Sequence, residues 1–304
     1  MMRNLPFINI GQSPHGLLLK KQSAGKSGKG LHVVFRKYLS FVSAAKKISV
    51  DLSSIDSVKE ALLKLTELLN DYRSFAVPIL ESRINSGQEN LRSSILEEFF
   101  SILCSPIIAS KKDIIQKYLV LGKGSSFVSL SFAPGSFENM FSFPNAYIHK
   151  KDQDFVLGCK LNVNINLHDF SQVKALQEAS QNSFVIPALV IECKTYIERN
   201  MLDSCAGTAK RLKTAMPYCL YLVAAEYMKM EDAFPELTDI NEVFILTKAS
   251  NSERMSLKKT KNIVHGIQPD LVFHIFCLVN NHLNRIWWSP KDAVKRGCII
   301  DRPF

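Results

Sequence analysis

Short apolar runs separated by polar segments fill the middle of the chain. Five runs rich in Val, Ile, Phe and Leu predict β-strands: FVSLSFAP, DFVLGCKLNVNI, FVIPALVIECKTY, CLYLVAAEY and EVFILTK. Polar stretches with helical character lie between some of them, near residues 169–180 and 201–214. This alternation of strands with helices is typical of an α/β fold.

Helical periodicity marks both ends of the chain. After Ser53, the residues Val58, Leu62, Leu65 and Leu69 recur on one face of a helix. Further helices are predicted at about 89–104, at 111–118 and from residue 269 onward, whereas 20–30 is rich in Gly, Ser and Lys and predicts a loop. We therefore expect an α/β fold with a central mixed β-sheet flanked by helices.

The same pattern suggests how the chain is divided. Residues 1–87 form a basic, helical N-terminal region, residues 88–250 carry the strands, and residues 251–304 form a helical C-terminal extension. No Gly/Pro-rich linker separates the three segments, so we expect them to pack as one compact unit.

Charge and cysteine content narrow the class of protein. The chain has 38 Lys and Arg against 28 Asp and Glu, a net charge of +10, which favours nucleic acid or an anionic membrane as partner. Its seven cysteines are scattered and form no C-x-x-C pair, which argues against a disulfide framework or structural zinc. No apolar run reaches about 18 residues, so no membrane span is expected. We expect a cytoplasmic protein.

Two charged residues interrupt the most apolar strand, in the stretch ALVIECKTY. Successive strand side chains point to opposite faces, so Glu192 and Lys194 share one face while Ile191 and Cys193 share the other. Charged groups are rarely buried unless they are paired or bind a metal. The motif therefore predicts either a structural ion pair or part of a catalytic site.

A second carboxylate precedes another strand, in HKKDQDFVLGCKL. Asp154 lies directly before an apolar run and is expected at a strand end, with Asp152 as the alternative. Two converging carboxylates, Asp154 and Glu192, suit Mg²⁺, a hard cation that prefers oxygen ligands. Lys194 beside them could orient a water molecule and offset phosphate charge. These are the parts that metal-assisted phosphodiester hydrolysis requires.

A third acid is predicted from the helix LRSSILEEFF. At about 100° per residue, the apolar face of this helix centres near Ile95, Phe99 and Ile102. Glu98 lies at the edge of that face and Glu97 points further from it. We therefore expect Glu98 to support the site.

Together these residues resemble the PD-(D/E)XK nuclease superfamily, whose core is a mixed sheet with a first acid on one strand and (D/E)-x-K on the next. Asp154 would be the first acid, although Gln153 stands where the motif has proline. The only Pro-Asp pair, Pro269–Asp270, lies downstream and opens a predicted helix, so we treat it as a chance match.

A closer resemblance covers about residues 88–230. The strings IECKTYIERNMLD, LRSSILEEFF and KKDQDFVLG resemble type II restriction endonucleases of the BbvCI and DdeI group. The resemblance implies a bacterial, Mg²⁺-dependent, site-specific deoxyribonuclease acting on double-stranded DNA. It also implies a second nuclease subunit, either an identical copy or a paralogue, with each subunit cutting one strand.

Basic residues close to these motifs are candidates for phosphate contacts. The set comprises Lys150, Lys151, Arg199, Lys210, Arg211 and Lys213. Two other functions remain open. One is a DNA repair or recombination nuclease of the same fold, although the cysteines lack the spacing of a zinc or iron–sulfur site. The other is a non-catalytic DNA-binding protein in which Glu192 and Lys194 form a structural ion pair.

Overall fold

The computed structural model describes residues 4–8, 13–25, 30–83, 90–111, 114, 116–138, 140, 146–163, 183–261, 263–285, 287 and 289–297. Its strands are β1 (Leu5–Pro6), β2 (Ser49–Val50), β3 (Leu119–Phe132), β4 (Ala146–Asn162), β5 (Ser183–Ile197), β6 (Leu220–Met228) and β7 (Glu242–Ser250). Its helices are α1 (Pro14–Ser23), α2 (Leu31–Ala45), α3 (Ile55–Glu81), α4 (Ser94–Ala109), α5 (Arg199–Ala215), α6 (Asn251–Lys261), α7 (Pro269–Asn284) and α8 (Pro290–Arg296).

Within these residues, five strands form a mixed sheet in the order β3-β4-β5-β6-β7. The pairs β3–β4 and β4–β5 are antiparallel, whereas β5–β6 and β6–β7 are parallel. The central strand β5 is buried on both faces along most of its length, which explains its nearly continuous apolar sequence. The predicted α/β fold with a central mixed sheet flanked by helices is confirmed.

Two apolar layers enclose this sheet. On one face, Ile191 and Cys193 pack with the N-terminal helices, α4 and α7 in one large core. On the other face, Val190 packs with Leu202 and Leu212 of α5 in a smaller core. The prediction that alternate residues of β5 face opposite sides is therefore confirmed, and Glu192 and Lys194 lie on the α5 side.

The N-terminal helices hold α4 against the sheet. The predicted apolar stripe of α3 is buried, and Ser54 caps that helix by accepting a hydrogen bond from the Ser57 N–H at 3.2 Å. Almost every residue of α4 is buried, including Ser101 and Ser105, because helices or the sheet surround it. This packing fixes the direction in which the α4 side chains point.

Several predicted elements differ from the structure. Lys20–Ser23, predicted as part of a loop, belongs to α1, and α2 was not predicted. The helix predicted at 111–118 is a short 3-10 turn at Gln116–Tyr118 among the described residues. The helix predicted at 169–180 lies outside the described residues. Pro269–Asp270 begins α7, and Asp270 forms an exposed ion pair with Lys248.

Two expectations from composition can be compared with the structure. The six described cysteines are all free thiols. None of the described helices is both long enough and apolar enough to cross a bilayer.

Candidate active site

The antiparallel register of β4 and β5 brings the two predicted carboxylates together. Phe155 pairs with Ile191 and Val156 with Val190, so Asp154 lies opposite Glu192 on the same face. The Asp154 carboxylate also accepts a hydrogen bond from the Cys193 N–H at 3.0 Å. Asp154 lies within β4, not at the strand end that the sequence predicted, because β4 continues through the polar segment before it by pairing with β3.

Lys194 links the two carboxylates. Its Nζ donates hydrogen bonds to Asp154 Oδ2 and to Glu192 Oε2, both at 2.8 Å. The side chains of Lys194 and Asp154 keep about a quarter of their surface exposed, 27% and 26%. The group therefore lies on the sheet face but remains open to an approaching ligand.

The electrostatics of this group keep the lysine charged. Burial alone would lower the pKa of Lys194, but the Glu192 and Asp154 carboxylates raise it well above its ordinary value. Burial raises the pKa of Glu192, and Lys194 opposes that shift. Lys194 is consequently an ammonium at neutral pH, able to donate hydrogen bonds but not to accept a proton.

The acid of α4 that interacts electrostatically with this group is Glu97 and not the predicted Glu98. Glu97 is buried, and Lys123 Nζ on β3 lies 3.8 Å from its Oε2. Burial raises its pKa to about 7, and the charges of Asp154, Lys194 and Glu192 also act on it. Glu97 therefore belongs to the electrostatic environment of the site.

Glu98 points into the N-terminal helices instead. One of its oxygens accepts a hydrogen bond from the Gly16 N–H at 3.0 Å, and the other accepts one from the Tyr38 hydroxyl. The helical wheel failed here because α4 is buried on nearly all sides, so distance from the apolar centre does not indicate exposure. Glu98 therefore links α4 to α1 and α2.

The alternative first acid is separate from the pair. Asp152 is exposed and hydrogen-bonds to the Ser125 hydroxyl across the β3–β4 ladder. The geometry thus favours Asp154. Tyr221, which the sequence analysis did not single out, lies near the site: its pKa is raised, mainly by burial and then by the Glu192 carboxylate.

The donor set suits a hard cation. Asp154 and Glu192 supply only carboxylate oxygens. Nearby, Glu97 Oε2 is buried without a hydrogen-bond partner. The described residues contain no group of three or more His, Cys, Asp or Glu side chains placed to hold a metal ion. An ion held by two of these carboxylates would therefore complete its coordination with water, as Mg²⁺ commonly does.

The predicted phosphate contacts differ in how available they are. Lys150 and Lys151 are exposed on β4, and Lys150 Nζ lies 3.4 Å from the Ser183 carbonyl. Lys210 and Arg211 are exposed on α5, which packs on the site face. Arg199 pairs with Asp232 at 3.1 Å.

Lys213 is the least available of the set. Its side chain is partly buried, and burial lowers its pKa. It therefore fits a packing role better than a phosphate contact.

An apolar cleft of about 600 Å³ lies at the other end of β5. Ile186, Ala188, Leu119 and Trp287 line part of it, and its lining contains no carboxylate. Its chemistry does not suit phosphodiester hydrolysis, so the site is assigned to the charged group and not to this cleft.

The overall fold matches a solved structure of the native BbvCI A2B2 tetramer. The match covers 90% of this chain and 98% of that chain, with a TM-score of 0.64 and 19% sequence identity. The mixed sheet and its flanking helices therefore define a restriction-endonuclease-like α/β fold.

A family model gives the particular assignment. The model of the Bpu10I restriction endonuclease matches residues 88–297, more than half of the chain. The chain belongs to this family of restriction endonucleases. A comparison with the curated proteins finds no match.

Proposed function

We propose that the chain is a subunit of a type II restriction endonuclease that cuts one strand of double-stranded DNA per active site, with Mg²⁺ as cofactor. The observation that carries this proposal is the position of Lys194 Nζ, 2.8 Å from both Asp154 and Glu192 on a partly open sheet face. Membership of the restriction endonuclease family supports it. Cleavage by water would leave a 5′-phosphate and a 3′-hydroxyl.

Each residue has a distinct task in this proposal. Asp154 and Glu192 would hold Mg²⁺. Glu97 would add to the electrostatic environment of the ion. The bound ion supplies Lewis-acid chemistry and lowers the pKa of water. Lys194, kept protonated by its two carboxylates, orients the attacking water and donates to the phosphate oxygen on which negative charge develops.

The same comparisons support a proposal about the partners of this chain. The BbvCI structure is an A2B2 tetramer, which for that protein means two kinds of subunit. We propose that this chain likewise acts with a second nuclease subunit, either a copy or a paralogue. The exposed Lys150, Lys151, Lys210 and Arg211 would contact DNA phosphates.

Supercoiled plasmid distinguishes these possibilities. Purified protein with Mg²⁺ should convert the plasmid either to discrete linear fragments, if two copies act together, or to a nicked circle, if a second subunit is missing. EDTA and Lys194→Ala should each abolish the reaction, whereas the exposed-lysine control Lys64→Ala should not. Absence of Mg²⁺-dependent breaks in either strand would contradict the proposal.

The competing hypothesis is a purely structural ion pair between Glu192 and Lys194. It predicts that Lys194→Ala lowers the melting temperature and leaves cleavage per folded molecule unchanged. The partial exposure of Lys194 and Asp154 favours the catalytic role, because it leaves both side chains within reach of a substrate.

A further inference from the structure

Parts of β3 and β4 pair with each other as a two-stranded ribbon, whose base also pairs with β5 through Ser126 and Val185. β4 pairs with β5 from Phe155 onward, but its earlier part, residues 146–152, pairs with residues 125–132 of β3. In this β3–β4 ribbon, Ser129 lies opposite His149 and Ser131 lies opposite Tyr147. The ribbon thus extends from the same strand that carries Asp154.

The two faces of the β3–β4 ribbon differ in chemistry. One face carries Leu130, Phe132 and Ile148 together with the charged Lys150 and Asp152. Near its base the Phe127 ring packs against Phe184 with centroids 4.9 Å apart. Only the base of this face packs on the rest of the chain, since Leu130 and Phe132 are 43% and 57% exposed.

The opposite face is polar. Its side chains are Ser129, Ser131, Tyr147, His149 and Lys151. Tyr147 is 51% exposed, and His149 and Lys151 are also exposed. Ser131 Oγ and His149 Nε2 are hydrogen-bonded at 2.7 Å, which orders both side chains before any ligand arrives. The face therefore presents a row of hydrogen-bond donors and acceptors without a carboxylate.

This combination suits the groove of a DNA duplex. The major groove is about 12 Å wide and admits a two-stranded β-ribbon, and base edges there are distinguished by hydrogen bonds. A face with hydroxyls, an imidazole and a cation complements base edges and phosphates together. The neighbouring acid, Asp152, belongs to the other face and is bonded to Ser125.

We propose that the polar face of the β3–β4 ribbon recognises base edges of the DNA, with His149 and Tyr147 as specificity-determining residues. The placement of the cut rests on the proposed function. His149 and Asp154 are five residues apart on β4, so at most about 17 Å separates them. At about 3.4 Å per base pair, the recognised bases lie within roughly five base pairs of the scissile phosphate.

Selection of bound duplexes from a random pool in EDTA tests recognition without cleavage. The wild type should enrich a defined sequence. His149→Ala should lose the preference at one position by about tenfold, the discrimination of one good base contact. Tyr147→Phe, which removes only a hydroxyl, tests a second position. Lys160→Ala, an exposed residue at the other end of β4, should select the wild-type sequence.

Each result decides between the proposals. If the wild type enriches no sequence, or if His149→Ala enriches the same sequence with unchanged preferences, the recognition proposal is wrong. Uniformly weaker binding to all sequences would also overturn it, because that is the behaviour of a phosphate contact. A wild type that selects a sequence but makes no Mg²⁺-dependent cut would instead contradict the proposed function and leave recognition supported.

Discussion

The sheet carries two clusters of charged residues on opposite faces, and they are built differently. On β4 and β5, two carboxylates share one lysine on a partly open face. On the face covered by α3, the Glu226 carboxylate of β6 accepts from Arg73 at 2.6 Å and from Arg92 at 2.8 Å. Glu226 and Arg73 are almost completely buried, with 2% and 1% of their side chains exposed.

The balance of charge separates the two clusters. Burial alone would raise the pKa of Glu226, but Arg73 and Arg92 lower it below its ordinary value, so the acid is fully ionised. Arg73 also donates to the His265 carbonyl at 3.0 Å. In the candidate site, carboxylates outnumber the nearby cation and the pKa of Glu192 is raised. A surplus of carboxylate charge that solvent can reach is what a cation site requires; the Glu226 cluster has no such surplus.

The sharpest test of this contrast is Glu192→Gln. The substitution keeps the shape of the side chain but removes one of the charges that would hold Mg²⁺, so single-turnover cleavage should fall by about 1,000-fold or more. DNA binding in EDTA should change little, because the loss concerns the transition state. Cleavage and binding should be measured on the same duplex.

The control for that variant is Glu226, the carboxylate of the buried cluster. Glu226→Gln should retain cleavage per folded molecule. Wild-type cleavage by Glu192→Gln, or a Glu226→Gln protein that is folded but inactive, would remove the distinction between the clusters.

The two clusters should rank in the opposite order for stability, with the larger loss at the buried Glu226 cluster. Glu226→Ala leaves Arg73 buried without its carboxylate, which should cost about 3–5 kcal/mol in the free energy of unfolding. Denaturant unfolding measures this directly. Asp154→Ala, on the open face, should cost much less, since solvent reaches its partner Lys194. Equal losses for both variants would indicate that the Asp154 group is also structural.

The sequence predicted the parts of the site that depend on strand periodicity. Glu192 and Lys194 share a face because β5 is regular, and an apolar run makes its register evident. Asp154 was identified by its type and its place beside an apolar run. Its position inside β4 was not predictable, because HKKDQD lacks strand periodicity and is extended by its backbone ladder with β3.

The parts that depend on tertiary packing were not predicted. The choice between Glu97 and Glu98 depends on Tyr38 and Gly16, which lie on helices α2 and α1 far from α4 in sequence. Both glutamates are buried, so a helical wheel that assumes one exposed side cannot rank them. The long polar ribbon of β3 and β4 likewise depends on pairing between distant segments.

Glu97 should make the stability of the protein depend on pH. Its pKa is raised from 4.5 to about 7, mainly by burial, so the native protein holds a proton that the unfolded chain has released. Without divalent metal, the free energy of unfolding should therefore decrease as pH rises from 4.5 to 7, by at most about 1.4 kcal/mol per pH unit. Unfolding in EDTA at several pH values measures the slope.

The matched variants isolate this group. Glu97→Gln should flatten the decrease, whereas Glu67→Gln, an exposed glutamate on α3, should leave it unchanged. A Glu97→Gln protein with the wild-type slope would show that the buried carboxyl near Lys123 is not the titrating group.

The smallest effects are expected from the cations of α5. As in the two charge clusters, exposed and buried side chains of this helix should behave differently. Lys210 and Arg211 are exposed, so Lys210→Ala and Arg211→Ala should each reduce the slope of log K against log salt by about 1. Lys213 is partly buried and its pKa is lowered by burial, so Lys213→Ala should leave that slope unchanged. Fluorescence anisotropy with a labelled duplex at several salt concentrations measures all three. The opposite ranking, with Lys213 carrying the salt dependence, would place the DNA on another side of the helix.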